Sequence, residues 1–248
     1  MKVLFMGTPA FAAASLSKLL DAGHHVAAAV TRPDAAAGRG LKVRPSAVKL
    51  LAARCGIPIW QPEGIKDAAF LDQVRSVASD IVVVVGFGRI LPRALLEATP
   101  MGAVNVHASL LPKYRGAAPV AWAIARGEIE TGVTTMRMIQ RLDAGDILLQ
   151  RATPIGAQES AGQLEARLAG IGAELLVETL DGLRDGTIVA RPQEEVAVCY
   201  APPLKKQDAM VDWSCGAEEI AARVRAFDPH PVAHTRTAAP PGVMMRIW

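Results

Sequence analysis

Residues 80–107 read DIVVVVGFGRILPRALLEATPMGAVNVH, and two apolar runs in this stretch predict the fold. The first, Asp80–Val85, is a continuous β-branched run, which is typical of a strand that helices cover on both faces. A short helix predicted over Pro92–Glu97 leads to a second predicted strand, Gly102–His107. This order of strand, helix and strand favours parallel strands in one sheet.

The flanking sequence continues the alternation. Further strands are predicted over Lys2–Met6, His25–Val30, Ile57–Trp60, Val133–Ile139 and Ile147–Ile155. Further helices are predicted over Ala10–Asp21, Pro45–Arg54 (with proline in its first turn), Ala68–Ala78, Pro119–Arg126, a long segment that opens with a capping box at Ser160, and Ala217–Phe227. We therefore predict an α/β fold, a Rossmann-like and mostly parallel sheet with helices on both faces.

The composition fits a globular protein of the reduced cytoplasm. About half of the 248 residues are apolar, and the three cysteines are widely spaced, which indicates neither a disulfide framework nor a zinc site. The N-terminal MKVLFMGTPAFAAASL is interrupted by Gly7-Thr8-Pro9 and predicts a strand and a turn rather than a signal peptide. No stretch approaches the roughly 20 apolar residues of a membrane span.

The basic residues concentrate in one segment. Between residues 31 and 54 six of them oppose the single acid Asp34, a local excess of +5 in a chain of net charge +3: Arg32, Arg39, Lys42, Arg44, Lys49 and Arg54. Such a segment would attract a phosphate-bearing partner. A solvated basic loop is the alternative interpretation.

Val104-Asn105-Val106-His107 carries the first candidate catalytic residues. Because side chains alternate along a strand, Asn105 and His107 are predicted to share one face. The carboxyl end of a central strand is where open α/β sheets bind ligands. An amide and an imidazole there would form two donors able to stabilise an oxyanion. A buried and satisfied polar pair is the alternative.

A third candidate is Asp143, in the predicted loop LDAGD over residues 142–146. A carboxylate beside a histidine favours the imidazolium and orients the ring. Spacing alone leaves two alternatives open: Asp143 can instead be a turn residue that caps its own backbone, and Asp146 is the rival carboxylate.

Two other function classes lack their motifs. Ser109 is not surrounded by the G-x-S-x-G turn of a serine hydrolase. The first turn reads GTPAFA rather than the G-x-G-x-x-G of a dinucleotide-binding module. The five histidines show no convincing metal-ligand spacing, so no metal is predicted.

Residues 105–119, NVHASLLPKYRGAAP, resemble the signature of the folate-dependent formyltransferases. The segments MGTPAFA, TRPDAAAGRG, GFGRILP, ETGVTTMRM and LDAGDIL also resemble that family, in the same order. The similarity covers essentially residues 1–230 and is strongest to the members that act on methionyl-tRNA. Two departures, Ala10 where an acid is usual and Phe87 where tyrosine is usual, do not affect the candidate catalytic residues.

The resemblance implies a role for each matching position. The implied catalytic trio is Asn105, His107 and Asp143. The implied folate-contacting residues are Ser109, Leu110, Leu111 and Pro112, with Arg89, Ile90 and Leu91 at the pterin pocket. The implied tRNA-contacting residues are Arg39, Lys42 and Arg44.

The resemblance also implies an activity. A monomer would transfer the formyl group of its co-substrate 10-formyltetrahydrofolate to the amino group of methionine on initiator Met-tRNA, without a metal. Formylation of another amine (an amino sugar or glycinamide ribonucleotide) and hydrolysis of the formylfolate are the alternatives.

The same resemblance predicts the domain organisation. We expect a catalytic domain over residues 1–186, a linker over 187–204, and a partial, barrel-like tRNA-binding domain over 205–248 that is shorter than the family's. Its last segment, Val243–Trp248, resembles a barrel strand and is predicted to lack partners, leaving an exposed apolar edge.

Overall fold

The computed structural model describes residues 1–37, 42–237 and 242–248. The strands are β1 Lys2–Gly7, β2 His25–Val30, β3 Ala35–Ala37, β4 Lys42–Arg44, β5 Ile59–Trp60, β6 Ile81–Val85, β7 Ala103–His107, β8 Arg115–Gly116, β9 Glu130–Arg137, β10 Ile147–Pro154, β11 Tyr200–Ala201, β12 His234–Arg236 and β13 Met244–Arg246. The α-helices are α1 Ala10–Asp21, α2 Ala47–Arg54, α3 Ala68–Ser76, α4 Arg93–Leu96, α5 Pro119–Ala125, α6 Ala161–Arg184 and α7 Ala217–Ala226. Short 3-10 helices occupy Glu195–Ala197 and Lys206–Ala209.

One seven-stranded sheet organises the fold, with the order β10-β9-β7-β6-β1-β2-β5. The pairs β7–β6, β6–β1, β1–β2 and β2–β5 are parallel, whereas β9 runs antiparallel to β7. The prediction of an α/β fold with a mostly parallel sheet is therefore confirmed.

The central strand β6 explains why the sheet forms here. All five of its residues, IVVVV, are buried, as a strand covered on both faces requires. One face packs on a cluster that includes Leu4, Met6, Phe70 and Leu95. Burial of such side chains stabilises a domain by about 1.5–3 kcal/mol each, so the sheet centre supplies a rigid support for the strand ends.

Two local predictions are wrong. Helix α2 begins at Ala47, so Pro45 precedes the helix: the Ser46 side chain accepts a hydrogen bond from the Lys49 amide at 3.0 Å and acts as the N-cap. The C-terminal strand β13 also has a partner, because it pairs antiparallel with β12. Met244 and Met245 of β13 nevertheless remain exposed.

The chain divides into two compact units, each assembled from separate segments. Unit 1 contains residues 1–107, 134–150 and 169–193, and unit 2 contains residues 108–133, 151–168 and 194–248. Within unit 2, β8 pairs with β11, and Trp122 of α5 meets the Phe227 ring edge-to-face at 6.4 Å between centroids. The predicted domain boundaries at residues 186 and 204 stay a prediction. Among the described residues, no helix is long and apolar enough to cross a membrane.

Candidate active site

Strand β7 supplies Asn105 and His107. They are two residues apart, so both side chains project from the same face of the sheet. Asn105 is 9% exposed and lies opposite Met136 of β9, and His107 is 6% exposed and lies opposite Thr134. The ladder therefore fixes an amide and an imidazole side by side at the carboxyl end of a central strand.

The β9–β10 loop, residues 138–146, supplies Asp143. Its carboxylate Oδ2 lies 3.8 Å from Nδ1 of His107, and both side chains are largely buried. This distance suits an ion pair and exceeds that of a hydrogen bond. The structure thus brings His107 and Asp143 together, although 35 residues separate them in the sequence.

The other acidic residue of the loop, Asp146, contacts the end of β9 through its backbone carbonyl. The Asp146 side chain is exposed, and its carbonyl accepts a hydrogen bond from the Arg137 amide at 2.9 Å. Asp143 itself has a φ of 45°, a left-handed conformation that aspartate tolerates better than most residues. That turn directs the Asp143 carboxylate to His107, which resolves the choice between the two acids.

The SLLP segment belongs to unit 2. Ser109 is fully buried and donates a hydrogen bond from Oγ to the Lys113 carbonyl at 2.6 Å, so it stabilises the turn rather than presenting a nucleophile. Leu111 is also buried, whereas Leu110 and Pro112 are partly exposed. Further along the motif, burial and a hydrogen bond to Glu128 raise the pKa of Tyr114.

The segment over residues 86–91 belongs to unit 1 and is held by arginines. Arg32 donates from Nε to the Phe87 carbonyl at 2.9 Å and from Nη2 to the Gly88 carbonyl at 2.6 Å. Arg89 donates to the Glu63 carbonyl at 2.8 Å. Ile90 is 71% exposed while Leu91 is buried in the core. The predicted pterin-contacting residues therefore present one apolar side chain, that of Ile90, on the surface.

The structure describes part of the basic segment. Arg39 lies outside the described residues, Lys42 begins β4 but its side chain is not described, and Arg44 is exposed at the end of β4. Lys49 forms an ion pair with Asp34 at 2.6 Å. That pair holds one of the six basic side chains against the body of unit 1.

Comparison with protein families and relatives identifies the chain. A family model described as formyl transferase matches residues 1–180, and a second, described as formyl transferase, C-terminal domain, matches residues 203–248. The methionyl-tRNA formyltransferase of Pelobacter propionicus is 51% identical over 233 residues, which are 94% of this chain and 73% of that protein. The chain belongs to the methionyl-tRNA formyltransferase family.

Other relatives agree with this membership. The methionyl-tRNA formyltransferase of Chromohalobacter salexigens is 49% identical over 248 residues, covering 100% of this chain and 75% of that protein. Solved structures of lower identity share the fold. A sugar N-formyltransferase from Shewanella is 17% identical with a TM-score of 0.74, covering 100% of this chain and 96% of that one. An N-formyltransferase from Helicobacter canadensis is 21% identical with a TM-score of 0.71, covering 92% and 80%.

The resemblance to the methionyl-tRNA formyltransferase family did not single out Gln193. Its Nε2 donates to the carbonyls of Asp143 at 2.9 Å and Gly145 at 2.7 Å, and lies 4.0 Å from the Met136 sulfur. Gln193 falls in the segment predicted to be a linker, and no local motif marks it. Only the folded chain shows that it contacts the loop of Asp143.

Metal ions in proteins bind to groupings of histidine, cysteine and acidic side chains. Within residues 1–37, 42–237 and 242–248, no three histidine, cysteine or acidic side chains come close enough together to hold a metal ion.

Proposed function

We propose that this chain transfers the formyl group of 10-formyltetrahydrofolate to the amino group of methionine on initiator Met-tRNA. The observation that carries the proposal is the pair of His107 and Asp143, 3.8 Å apart, at the end of the strand that also carries Asn105. An amide, an imidazole and a buried carboxylate provide the donors and the proton acceptor that formyl transfer between two amines needs.

The proposed reaction is a direct transfer. The free amine of the esterified methionine attacks the formyl carbon, and the carbonyl π electrons move onto oxygen. Asn105 and the His107 ring donate hydrogen bonds to this oxyanion. The tetrahedral intermediate then collapses, the bond from carbon to N10 of the folate breaks, and the proton that leaves the attacking amine ends on N10.

Asp143 acts on the proton and on the histidine. Its carboxylate, 3.8 Å from Nδ1, orients the His107 ring. It also accepts the proton from the attacking amine, directly or through one water, before that proton passes to N10. Catalytic hydrogen bonds commonly shorten when substrates bind, so a separation of 3.8 Å suits this role.

The substrates are assigned to matching segments. We propose that Ser109, Leu110, Leu111 and Pro112 contact the folate. We also propose that Arg89, Ile90 and Leu91 contact its pterin ring. Arg39, Lys42 and Arg44 would contact the phosphates of the tRNA, which the excess of positive charge in that segment supports. The enzyme is expected to act in the cytoplasm as a monomer, with residues 205–248 in a tRNA-binding domain.

Sequence identity favours Met-tRNA over other acceptors. Relatives that are 46–51% identical are methionyl-tRNA formyltransferases, whereas N-formyltransferase structures from Helicobacter canadensis, Mycobacterium tuberculosis and Shewanella are 17–22% identical. Likeness at the lower level supports the fold and does not extend to the acceptor.

An acceptor panel tests the proposal. The purified chain is given 10-formyltetrahydrofolate with initiator Met-tRNA, glycinamide ribonucleotide, a nucleotide-linked amino sugar, or water alone. We expect formyl-methionyl-tRNA as the product. The KM for tRNA should rise with salt concentration, because contacts between basic residues and phosphates release counterions from the tRNA. Faster formylation of a small amine, or release of formate alone, would contradict the proposal.

A further inference from the structure

The chain after α6 returns to the β9–β10 loop. Arg191 and Ile147 exchange two backbone hydrogen bonds, each of 2.8 Å, as an isolated antiparallel bridge. Ile147 is the first residue of β10, directly after the loop. This bridge fixes the register of the returning segment and brings Gln193, two residues further on, to the loop.

The Gln193 amide contacts the backbone of the β9–β10 loop. One nitrogen, Nε2, has two hydrogens, and it contacts two carbonyl oxygens: those of Asp143 at 2.9 Å and Gly145 at 2.7 Å. The same nitrogen lies 4.0 Å from the sulfur of Met136, the residue opposite Asn105 in the sheet ladder. Gln193 thus touches the backbone of one candidate catalytic residue and the ladder partner of another.

The loop needs such a support because its turn is tight. Asp143 has a φ of 45°, a conformation that costs an L-residue roughly 1–2 kcal/mol. A Cβ on Gly145 would lie 1.8 Å from the Arg137 carbonyl oxygen, so the backbone of the loop lies directly against the end of β9. The two carbonyls that this turn directs to one side both accept from Gln193.

We propose that Gln193 is a positioning residue for the formyl transfer: it holds the β9–β10 loop in the turn that places the Asp143 carboxylate at His107. This inference rests on the role of Asp143 in the proposed function. A displacement of about 1 Å at a reacting group can cost a hundredfold in rate, so loss of two hydrogen bonds to this loop acts on the chemical step rather than on substrate binding.

The test is single-turnover formyl transfer to initiator Met-tRNA by Gln193→Met and Gln193→Glu. Methionine keeps the length of the side chain and removes both donors, and we expect the rate to fall by about 10- to 100-fold at saturating substrates with both KM values unchanged. Glutamate places a carboxylate oxygen against the two carbonyl oxygens, which repel it. We therefore expect a larger loss of rate. Gln163→Met is the matched control, because Gln163 accepts from the Ser160 amide at the start of α6, remote in sequence from the loop, and should keep the parent rate.

A double-mutant cycle separates positioning from a general loss of stability. In an Asp143→Ala background there is no carboxylate to position, so adding Gln193→Met should cost less than about twofold. Two outcomes would overturn the inference. In one, the two losses of rate multiply in the double variant. In the other, Gln193→Met keeps the parent rate while Asp143→Ala is impaired. If instead Asp143→Ala itself kept the parent rate, the proposed function of the trio would fail, which is a different outcome.

Discussion

Strand β7 and the β9–β10 loop hold their candidate catalytic residues in place through different interactions. Asn105 pairs with β6 on one side and β9 on the other, and His107 pairs with β9, inside a buried sheet. Asp143 is held by a left-handed turn, the close approach of Gly145 to Arg137, and the side chain of a residue 50 positions away. One half of the site therefore depends on the fold as a whole, and the other half depends on a few specific contacts.

This difference predicts how substitutions in each half of the site affect the positions of its side chains. Conservative changes to β7 that keep the ladder should remove a functional group without moving its neighbours. Changes in the loop should move the carboxylate even when the altered residue carries no chemistry itself. Three substitutions test this difference, and a fourth, outside both elements, tests the proposed folate-binding segment.

The largest effect is expected at β7. His107→Ala removes a donor to the oxyanion and the partner of Asp143, so the single-turnover rate should fall on the order of a thousandfold. The fold should persist, because the strand keeps its hydrogen bonds. His25→Ala, at the exposed first position of β2, is the control and should keep the parent rate. A thermal melt that shows loss of folding in His107→Ala would contradict the view that the ladder alone holds β7.

Next in size is Asp143→Asn. Asparagine tolerates the left-handed backbone, so this change removes the charge and retains the turn. We expect the rate to fall about a hundredfold. Asp146→Asn is the matched control at the other end of the turn, and its rate should stay within about twofold of the parent because its side chain is exposed. Equal losses in the two variants would show that loop charge in general, rather than the contact with His107, matters.

A smaller loss is expected from Gly145→Ala, which alters no functional group. The added Cβ would meet the Arg137 carbonyl at 1.8 Å, so the loop must shift. We expect a loss of rate of about tenfold and of roughly 1–3 kcal/mol in the free energy of unfolding. Gly170 is exposed in α6, and a Cβ added there would meet no atom within 4 Å outside the nearby helix backbone. Gly170→Ala should therefore stabilise the protein by up to about 1 kcal/mol. A Gly145→Ala enzyme with parent rate and stability would show that the loop is not tightly held.

The smallest effect should appear outside the trio, at Arg32. Arg32→Met removes two donors from the carbonyls of Phe87 and Gly88. A hydrogen bond contributes about 1 kcal/mol, so we expect the KM for formyltetrahydrofolate to rise about five- to tenfold at an unchanged saturated rate. Fluorescence titration with folate measures binding independently. A fall in the saturated rate would indicate that this segment also reaches the chemistry.

Much of the fold follows from the sequence because burial dictates it. The run IVVVV is typical of a strand covered on both faces. Alternation on β7 predicted that Asn105 and His107 share a face. The choice between Asp143 and Asp146 did not follow, because it depends on a turn stabilised by Gln193 across 50 residues. The pairing of β13 with β12 was also missed, since residues 229–242 lack the periodicity that marks strands.

The most direct measurement of the central claim is the coupling between the two halves of the site. Single-turnover formyl transfer to initiator Met-tRNA is measured for the parent, His107→Ala, Asp143→Ala and the double variant. Residues that act as a unit lose little more when both are removed, so the double variant should be about as slow as His107→Ala alone. Losses that multiply would show that His107 and Asp143 act independently, and would contradict the account.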